Sequence, residues 1–285
     1  MRTTRSIVAL AGLLVALAAA PATAGAAAWV GLGDSYAAGP LIPNQSLAPL
    51  GCLRSDHNFA HLAAAQLGYS LADVSCSGAT TDDMTQPQST DAGTNPPQFD
   101  ALSAATTRVS VQIAGNDIGF TNILESCATA NPFGHPCKDK FDSGGNDQIA
   151  ARIAAAAPKV AAVLQGIHSR SPNARVLLVN YAAILPETGF GCWPTVPFAF
   201  QDVPYLRAKE KQLNAMLAQQ VAAAAGPTFD VRLVDDYTAS IGHDACKSAT
   251  VRWVEPLVPA NAAAPFHPNA RGEGGVATAV EAVAR

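Results

Sequence analysis

The chain has 285 residues, 49% of them apolar and 14% charged, with a formal net charge of −4 at pH 7. That length admits one large α/β domain or two small ones, and the apolar share is enough for a substantial core. No Lys/Arg cluster occurs, which excludes the footprint of a nucleic-acid binder and a polybasic membrane patch.

Arg2 and Arg5 precede an uncharged, mostly apolar run from Ile7 to Ala20, followed by the small-residue segment Pro21-Ala22-Thr23-Ala24. This is the layout of a secretory signal peptide. The run has 14 residues, fewer than the roughly 20 that span a bilayer. We therefore expect residues 1–24 to be a cleaved signal peptide, residues 25–285 to form one domain, and the protein to be exported. Cleavage removes Arg2 and Arg5 and leaves a net charge of −6. No later segment has the length and uniform apolarity of a transmembrane helix, so no stable membrane insertion is expected.

Residues 28–33 read as a short buried strand and a turn. Ser55 can cap a helix running to about Gly68, with Phe59, Leu62 and Leu67 on its apolar side. Leu71 to Ser75 is a second strand. Gly78 to about Asn95 is rich in Thr, Asp, Gln and Gly and reads as an exposed loop with a short helix. Val109, Val111 and Ile113 alternate in a third strand, Arg108 to Ala114. An irregular stretch, 125–145, precedes a long helix carrying Ile149, Ile153, Val160, Leu164 and Ile167 at helical spacing. Pro158 inside it predicts a kink or break. The nearly all-apolar segment Arg175 to Val179 suits the middle of a parallel sheet. A second irregular insertion, 185–204, leads into a helix over about 203–224. A fifth strand over 229–234, a long loop over 238–266 and a helix over about 268–284 close the chain. Strands and helices alternate, which implies a parallel sheet with helices on both faces and a site at the strands' carboxyl ends.

Cys52, Cys76, Cys127, Cys137, Cys192 and Cys246 are an even set in a chain expected to be exported, which predicts three disulfides. Several connectivities satisfy this, and pairing in sequence order is the simplest. No Cys/His spacing suggests zinc, and no metal or organic cofactor is implied.

Four segments carry chemistry. Gly33-Asp34-Ser35 follows the first strand, where a turn exposes a hydroxyl and aims backbone N–H groups at whatever that hydroxyl attacks. Asp-Ser after glycine is also ordinary helix-cap chemistry. Gly31-Leu32-Gly33 starts like a dinucleotide fingerprint, but Tyr36 stands where the third small residue belongs. Gly78 follows the second strand and lets a ligand approach its N–H. Gly115-Asn116-Asp117 follows the third strand, and the Asn116 amide can donate to a developing oxyanion. Both could equally serve as turn residues. A serine nucleophile needs a base within hydrogen-bond reach. Of the six histidines, His267 alone combines a loop-to-helix position with a following proline, Pro268, read as the first helical residue. His57 and His61 share a helix face, but no glutamate stands between them as in a zinc peptidase.

These four segments, in this order, resemble the motif blocks of the SGNH (GDSL-type) hydrolase family, and in particular its extracellular actinobacterial esterases and lipases. There is no G-x-S-x-G segment, so the common lipase nucleophile elbow is absent. The resemblance implies a three-layer α/β/α fold with a flavodoxin-like, five-stranded parallel sheet, and cysteines paired in sequence order. It implies a serine esterase or lipase in which Ser35 attacks an acyl carbonyl and His267 takes its proton. The N–H groups of Ser35 and Gly78 and the side chain of Asn116 would form the oxyanion hole. The family usually has Asp three residues before its histidine; here that position is Ala264. We expect the Ala264 carbonyl to orient the imidazole, with Glu255 as a remote carboxylate that could substitute. The expected partner is a small-molecule or lipid ester, acted on by a monomer. Phospholipid and acetylated-sugar esters are alternatives within the family, and a non-catalytic binding protein on the same scaffold is an alternative outside it. The loop aromatics Phe133, Phe190, Trp193, Phe198 and Phe200 are expected to line an acyl pocket.

Overall fold

The computed structural model describes residues 28–285. The expected signal segment, 1–24, and the expected mature start near Gly25 lie outside the described residues. Five strands form the central sheet: β1 (Trp29–Gly33), β2 (Leu71–Asp73), β3 (Arg108–Gln112), β4 (Arg175–Val179) and β5 (Val231–Val234). All are parallel, in the order β2-β1-β3-β4-β5. This is the expected flavodoxin-like arrangement, and it puts every strand's carboxyl end on one rim.

Side-chain alternation splits the strands between two apolar layers. Val30, Leu32, Val109, Val111, Val176 and Leu178 face one side. There they pack on α5 (Gln148–Arg170) through Ile153, Val160 and Leu164, and on α6 (Asp202–Ala224) through Leu213 and Leu217. Trp29, Leu177, Val179 and Val234 face the other side. That layer is covered by α2 (Phe59–Leu67) and α8 (Ala270–Ala284), whose buried positions are mostly Ala and Val. The shorter helices are α1 (Ser35–Ala38), α3 (Phe120–Cys127), α4 (Pro136–Phe141) and α7 (Asp236–Ala239).

Four local expectations are corrected. The cap of α2 is Asn58, whose side chain accepts from the His61 N–H at 3.1 Å; Ser55 instead accepts from the His57 N–H, three residues too early. α5 runs unbroken through Pro158, because a single missing N–H is outweighed by the buried residues on both sides of it. α8 is capped by Asn269, which accepts from the Arg271 and Gly272 N–H groups, so Pro268 precedes the helix rather than opening it. The irregular stretch 125–145 contains α4 and the first strand, Asp142–Ser143, of a short hairpin whose second strand, Asn146–Asp147, follows it.

The cysteines pair as Cys52–Cys76, Cys127–Cys137 and Cys192–Cys246, in sequence order. Cys52–Cys76 fastens the loop after α1 to the end of β2, and Cys192–Cys246 fastens the 185–204 insertion to the loop after α7. The bridges close separations of 24, 10 and 54 residues. If each acts by restricting the unfolded chain, their contributions should be about 3.5, 2.7 and 4 kcal/mol respectively. Paired Cys→Ser variants measured by urea unfolding should therefore rank with Cys192–Cys246 the most costly and Cys127–Cys137 the least. The reverse ranking would contradict the loop-entropy account.

Candidate active site

The end of β1 sets the site. Gly33 has φ +144°, and a Cβ there would run into the backbone carbonyl of Gln112 on β3, so only glycine fits this turn. Gln98 braces it: its side-chain oxygen accepts from the Gly33 N–H at 2.8 Å and its amide donates to the Gly33 carbonyl at 2.9 Å. Asp34 caps α1, accepting from the Tyr36 N–H at 2.9 Å. Ser35, the first helical residue, is thereby presented at the carboxyl rim.

The His267 ring lies at the same rim. Its Nε2 is 2.8 Å from Ser35 Oγ, and its Nδ1 is 2.8 Å from the Pro265 carbonyl oxygen. A carbonyl can only accept, so Nδ1 carries the proton and the Nε2 lone pair faces the hydroxyl. The loop is held in place by neighbours. The Tyr36 hydroxyl donates to the Phe266 carbonyl at 2.6 Å, and the Tyr36 ring centroid lies 5.0 Å from that of His267. The Glu255 N–H donates to the His267 carbonyl at 3.0 Å, and the Phe266 N–H donates to the Glu255 carbonyl at 2.9 Å. Burial pushes the imidazole below its ordinary value of 6.5, and the Pro265 carbonyl, which favours the charged ring, opposes this only in part.

The expected role of Ala264 is corrected. The His267 N–H donates to the Ala264 carbonyl at 3.2 Å, closing a turn in which Phe266 has φ +59°. That turn occupies the Ala264 oxygen and swings the Pro265 oxygen onto the ring instead. Glu255 does not stand in either. Its carboxylate accepts from the Ala260 N–H at 2.8 Å and from the Asn261 and Asn269 amides, and pairs with Arg252 at 3.1 Å.

Hydrogen bonds hold the Gly78 and Asn116 segments beside the turn that carries Ser35. The Cys76 N–H donates to the Gly33 carbonyl at 3.0 Å, placing the Gly78 segment beside the β1 turn. Asn116 Nδ2 donates to the Ala79 carbonyl at 2.8 Å, which leaves its second amide hydrogen free of that bond. Asp117 locks the same two segments together, accepting from the Thr81 N–H at 3.0 Å and from its hydroxyl at 2.6 Å. Among the described residues, the N–H groups of Ser35 and Gly78 enter no hydrogen bond. The two backbone N–H groups and the Asn116 amide thus keep donor capacity to spare at this rim, which is what a site for a developing negative charge requires.

Ser35 and Asn116 open onto an apolar cavity walled by Ile118, Phe120, Leu124, Ile184, Phe198 and Leu206. Of the five loop aromatics expected there, only Phe198 contributes. Phe133 and Phe190 are exposed, Phe200 packs edge-on against Phe133, and the Trp193 indole donates to the Thr129 carbonyl. Part of the wall comes from α3 and α6, with Ile149 of α5, and the rest from the segments that follow β1, β3 and β4. The other histidines stay apart from Ser35: His57 pairs with Asp56, His135 with Asp139, and His168 stacks on Phe229. Sequence reasoning assigned no role to Tyr36, Pro265 or Tyr181. Tyr181 follows β4 closely, as Ser35 follows β1, and that shared rim position was the available signal.

The chain is similar to several known proteins. Residues 32–274 match the model of the GDSL-like lipase/acylhydrolase family. Lipase 2 of Streptomyces coelicolor is 39% identical over 251 residues, covering 86% of this chain and 81% of that protein. An esterase of Streptomyces scabiei is 30% identical, covering 87% and 82%. Among solved structures, phospholipase A1 from Streptomyces albidoflavus is similar with a TM-score of 0.73 at 22% identity, covering 91% of this chain and 98% of that one. An extracellular lipase from Streptomyces rimosus is similar with a TM-score of 0.68 at 23% identity, covering 90% and 98%.

Two glycines at this rim should respond differently to alanine. At Gly78 the φ of +81° is strained for alanine, but its Cβ would meet only Gln88 Nε2, at 3.6 Å. Gly78→Ala should cost about 1–2 kcal/mol in urea unfolding. Gly33→Ala, which drives a Cβ into backbone, should cost clearly more; equal costs would contradict the reading of the β1 turn.

Proposed function

The chain belongs to the GDSL-like lipase/acylhydrolase family, and on that footing we propose that it hydrolyses lipid esters through a Ser35–His267 dyad. Its reaction class is carboxylic ester hydrolysis. The observation that carries the residue assignment is the 2.8 Å contact of His267 Nε2 with Ser35 Oγ, with the tautomer set by the Pro265 carbonyl.

His267 Nε2 takes the Ser35 proton as Oγ bonds to the acyl carbon. The carbonyl π pair moves to oxygen, and the negative charge is held by the N–H groups of Ser35 and Gly78 and by Asn116 Nδ2. Collapse of this intermediate breaks the bond to the alcohol oxygen, which leaves with the proton from Nε2. Water then repeats the sequence on the acyl-enzyme, giving the carboxylic acid and free Ser35. The apolar cavity beside Ser35 supports an aliphatic acyl group over a sugar. The segment 1–24, with its basic start, apolar run and small-residue end, supports export as a signal peptide, leaving one domain over 25–285. The three disulfides suit an oxidising compartment.

Ser35→Ala should abolish release of p-nitrophenol from p-nitrophenyl butyrate while leaving the unfolding transition in place; retained turnover would refute the nucleophile. Asn116→Ala should lower turnover about 10²–10³-fold. The base must be neutral, and burial holds its pKa below the ordinary 6.5. Activity should therefore rise with pH along a limb centred below 6.5, and a kcat/KM limb centred above that value would contradict the burial argument. Across a series of p-nitrophenyl esters from acetate to laurate, kcat/KM should peak beyond acetate. A preference for acetate together with acetylated sugars would favour a carbohydrate esterase.

A further inference from the structure

The Tyr181 hydroxyl ties together two segments that are remote in sequence. It donates to Asp34 Oδ2 at 2.5 Å and accepts from the Gly115 N–H at 2.7 Å. Asp34 is the residue before Ser35, and Gly115 is the residue before Asn116. One hydroxyl therefore joins the turn that presents the proposed nucleophile to the turn that presents the proposed oxyanion donor. We infer that Tyr181 is a positioning residue that sets the distance between Ser35 and Asn116, an inference that rests on the roles proposed for those two.

Three features make the hydroxyl suited to this. It is anchored from behind: the Tyr181 N–H donates to Asn214 Oδ1 at 2.9 Å and the Asn214 amide donates to the Tyr181 carbonyl at 2.9 Å, fixing the backbone to α6. Its ring is fixed too, packed edge-on to Tyr36 with centroids 5.1 Å apart. Its partners have no alternative. Asp34 is buried and spends its other oxygen on the Tyr36 N–H, and Gly115 abuts the hydroxyl so closely that a Cβ there would lie 3.0 Å from it. Tyr181 OH has one proton to give and lone pairs to receive, and both uses are filled. Burial raises Asp34 to about 7, with the Tyr181 hydrogen bond pulling the other way, so the phenol also helps keep this carboxyl an acceptor.

Substitution by phenylalanine keeps the ring that lines the cavity and removes only the tie. In the enzyme assayed with p-nitrophenyl butyrate, Tyr181→Phe should lower kcat roughly 10–100-fold, because small misplacement of reacting groups is costly. KM should change less than about twofold, because the cavity walls are intact. Gly115→Ala should lower kcat by pushing the hydroxyl off Asp34. Combined with Tyr181→Phe it should add little further loss, since the tie it disturbs is already absent and the nearest contact, with the hydroxyl, is relieved. Asp34→Asn, close to isosteric, should reproduce the fall in kcat at near-constant KM if Tyr181→Phe does not fold. Wild-type kcat in Tyr181→Phe, a loss confined to KM, or losses from Tyr181→Phe and Gly115→Ala that simply multiply would overturn the inference. Those outcomes differ from failure of the dyad itself, which would appear as turnover by Ser35→Ala and no labelling of Ser35 by a serine-reactive phosphonate.

Discussion

The contact between His267 Nε2 and Ser35 Oγ closes 232 positions of sequence, and the rest of the molecule is arranged to permit it. An all-parallel sheet delivers each strand's carboxyl end to one rim. Ser35 and the Gly78, Gly115-Asn116 and Tyr181 segments follow β1, β2, β3 and β4 there. His267 arrives differently, on a loop entering α8, and needs separate ties. The Tyr36 hydroxyl supplies one by donating to the Phe266 carbonyl. Tyr36 is itself the residue after Ser35, so the helix that carries the proposed nucleophile reaches out to hold the imidazole loop. Long-range geometry is thus converted into short-range hydrogen bonds between neighbours of the reacting groups.

These ties lie where water is excluded, and burial shows in the acidities. Asp34 is raised to about 7 and Glu210, at the cavity wall, to about 8, each chiefly by loss of hydration. Carboxyls in such places are costly to keep charged, and each is held by backbone or phenol donors: Asp34 by Tyr36 and Tyr181, Glu210 by the Ile184 N–H at 2.8 Å. The same dry surroundings strengthen any donor aimed at a developing negative charge. A site of this kind gives up some stability for electrostatic order.

Much of this was legible in the residues. The alternation of Val109, Val111 and Ile113 and the apolar run Arg175–Val179 place strands because a two-sided sheet needs them. Gly33-Asp34-Ser35, Gly78, Gly115-Asn116-Asp117 and His267 mark the rim. What escaped was local and three-dimensional. The carbonyl that meets His267 Nδ1 depends on whether a turn uses up the oxygen of Ala264, a fact set by the φ of Phe266 rather than by composition. The cavity walls escaped for a different reason. Ile149 and Leu213 lie on expected helices, where periodicity cannot distinguish a side chain that packs on the sheet from one that faces a void, and the helix that carries Ile123 was not expected at all. The exposed loop aromatics were misleading for the converse reason, since large apolar residues are frequent on surfaces.

The alanine at position 264 alters the chemistry available to the proposed base, His267. A carboxylate on Nδ1 would favour the imidazolium and raise the ring's pKa, whereas a neutral carbonyl fixes the same tautomer with less charge stabilisation. In this chain the carbonyl's modest upward pull is outweighed by burial, so the ring is neutral at lower pH than a free histidine. A base of lower pKa removes a proton less readily, but a larger share of it is ready to act in mildly acid surroundings. The corresponding acid is stronger, so the alcohol departs with less resistance once the intermediate has formed. A dyad built in this way places more of its demand on the groups that stabilise the oxyanion. On the proposed mechanism, the cross-ties of this rim, Asp117 on Thr81, Asn116 on Ala79 and Tyr181 on Gly115, would fix those donors before any substrate arrives.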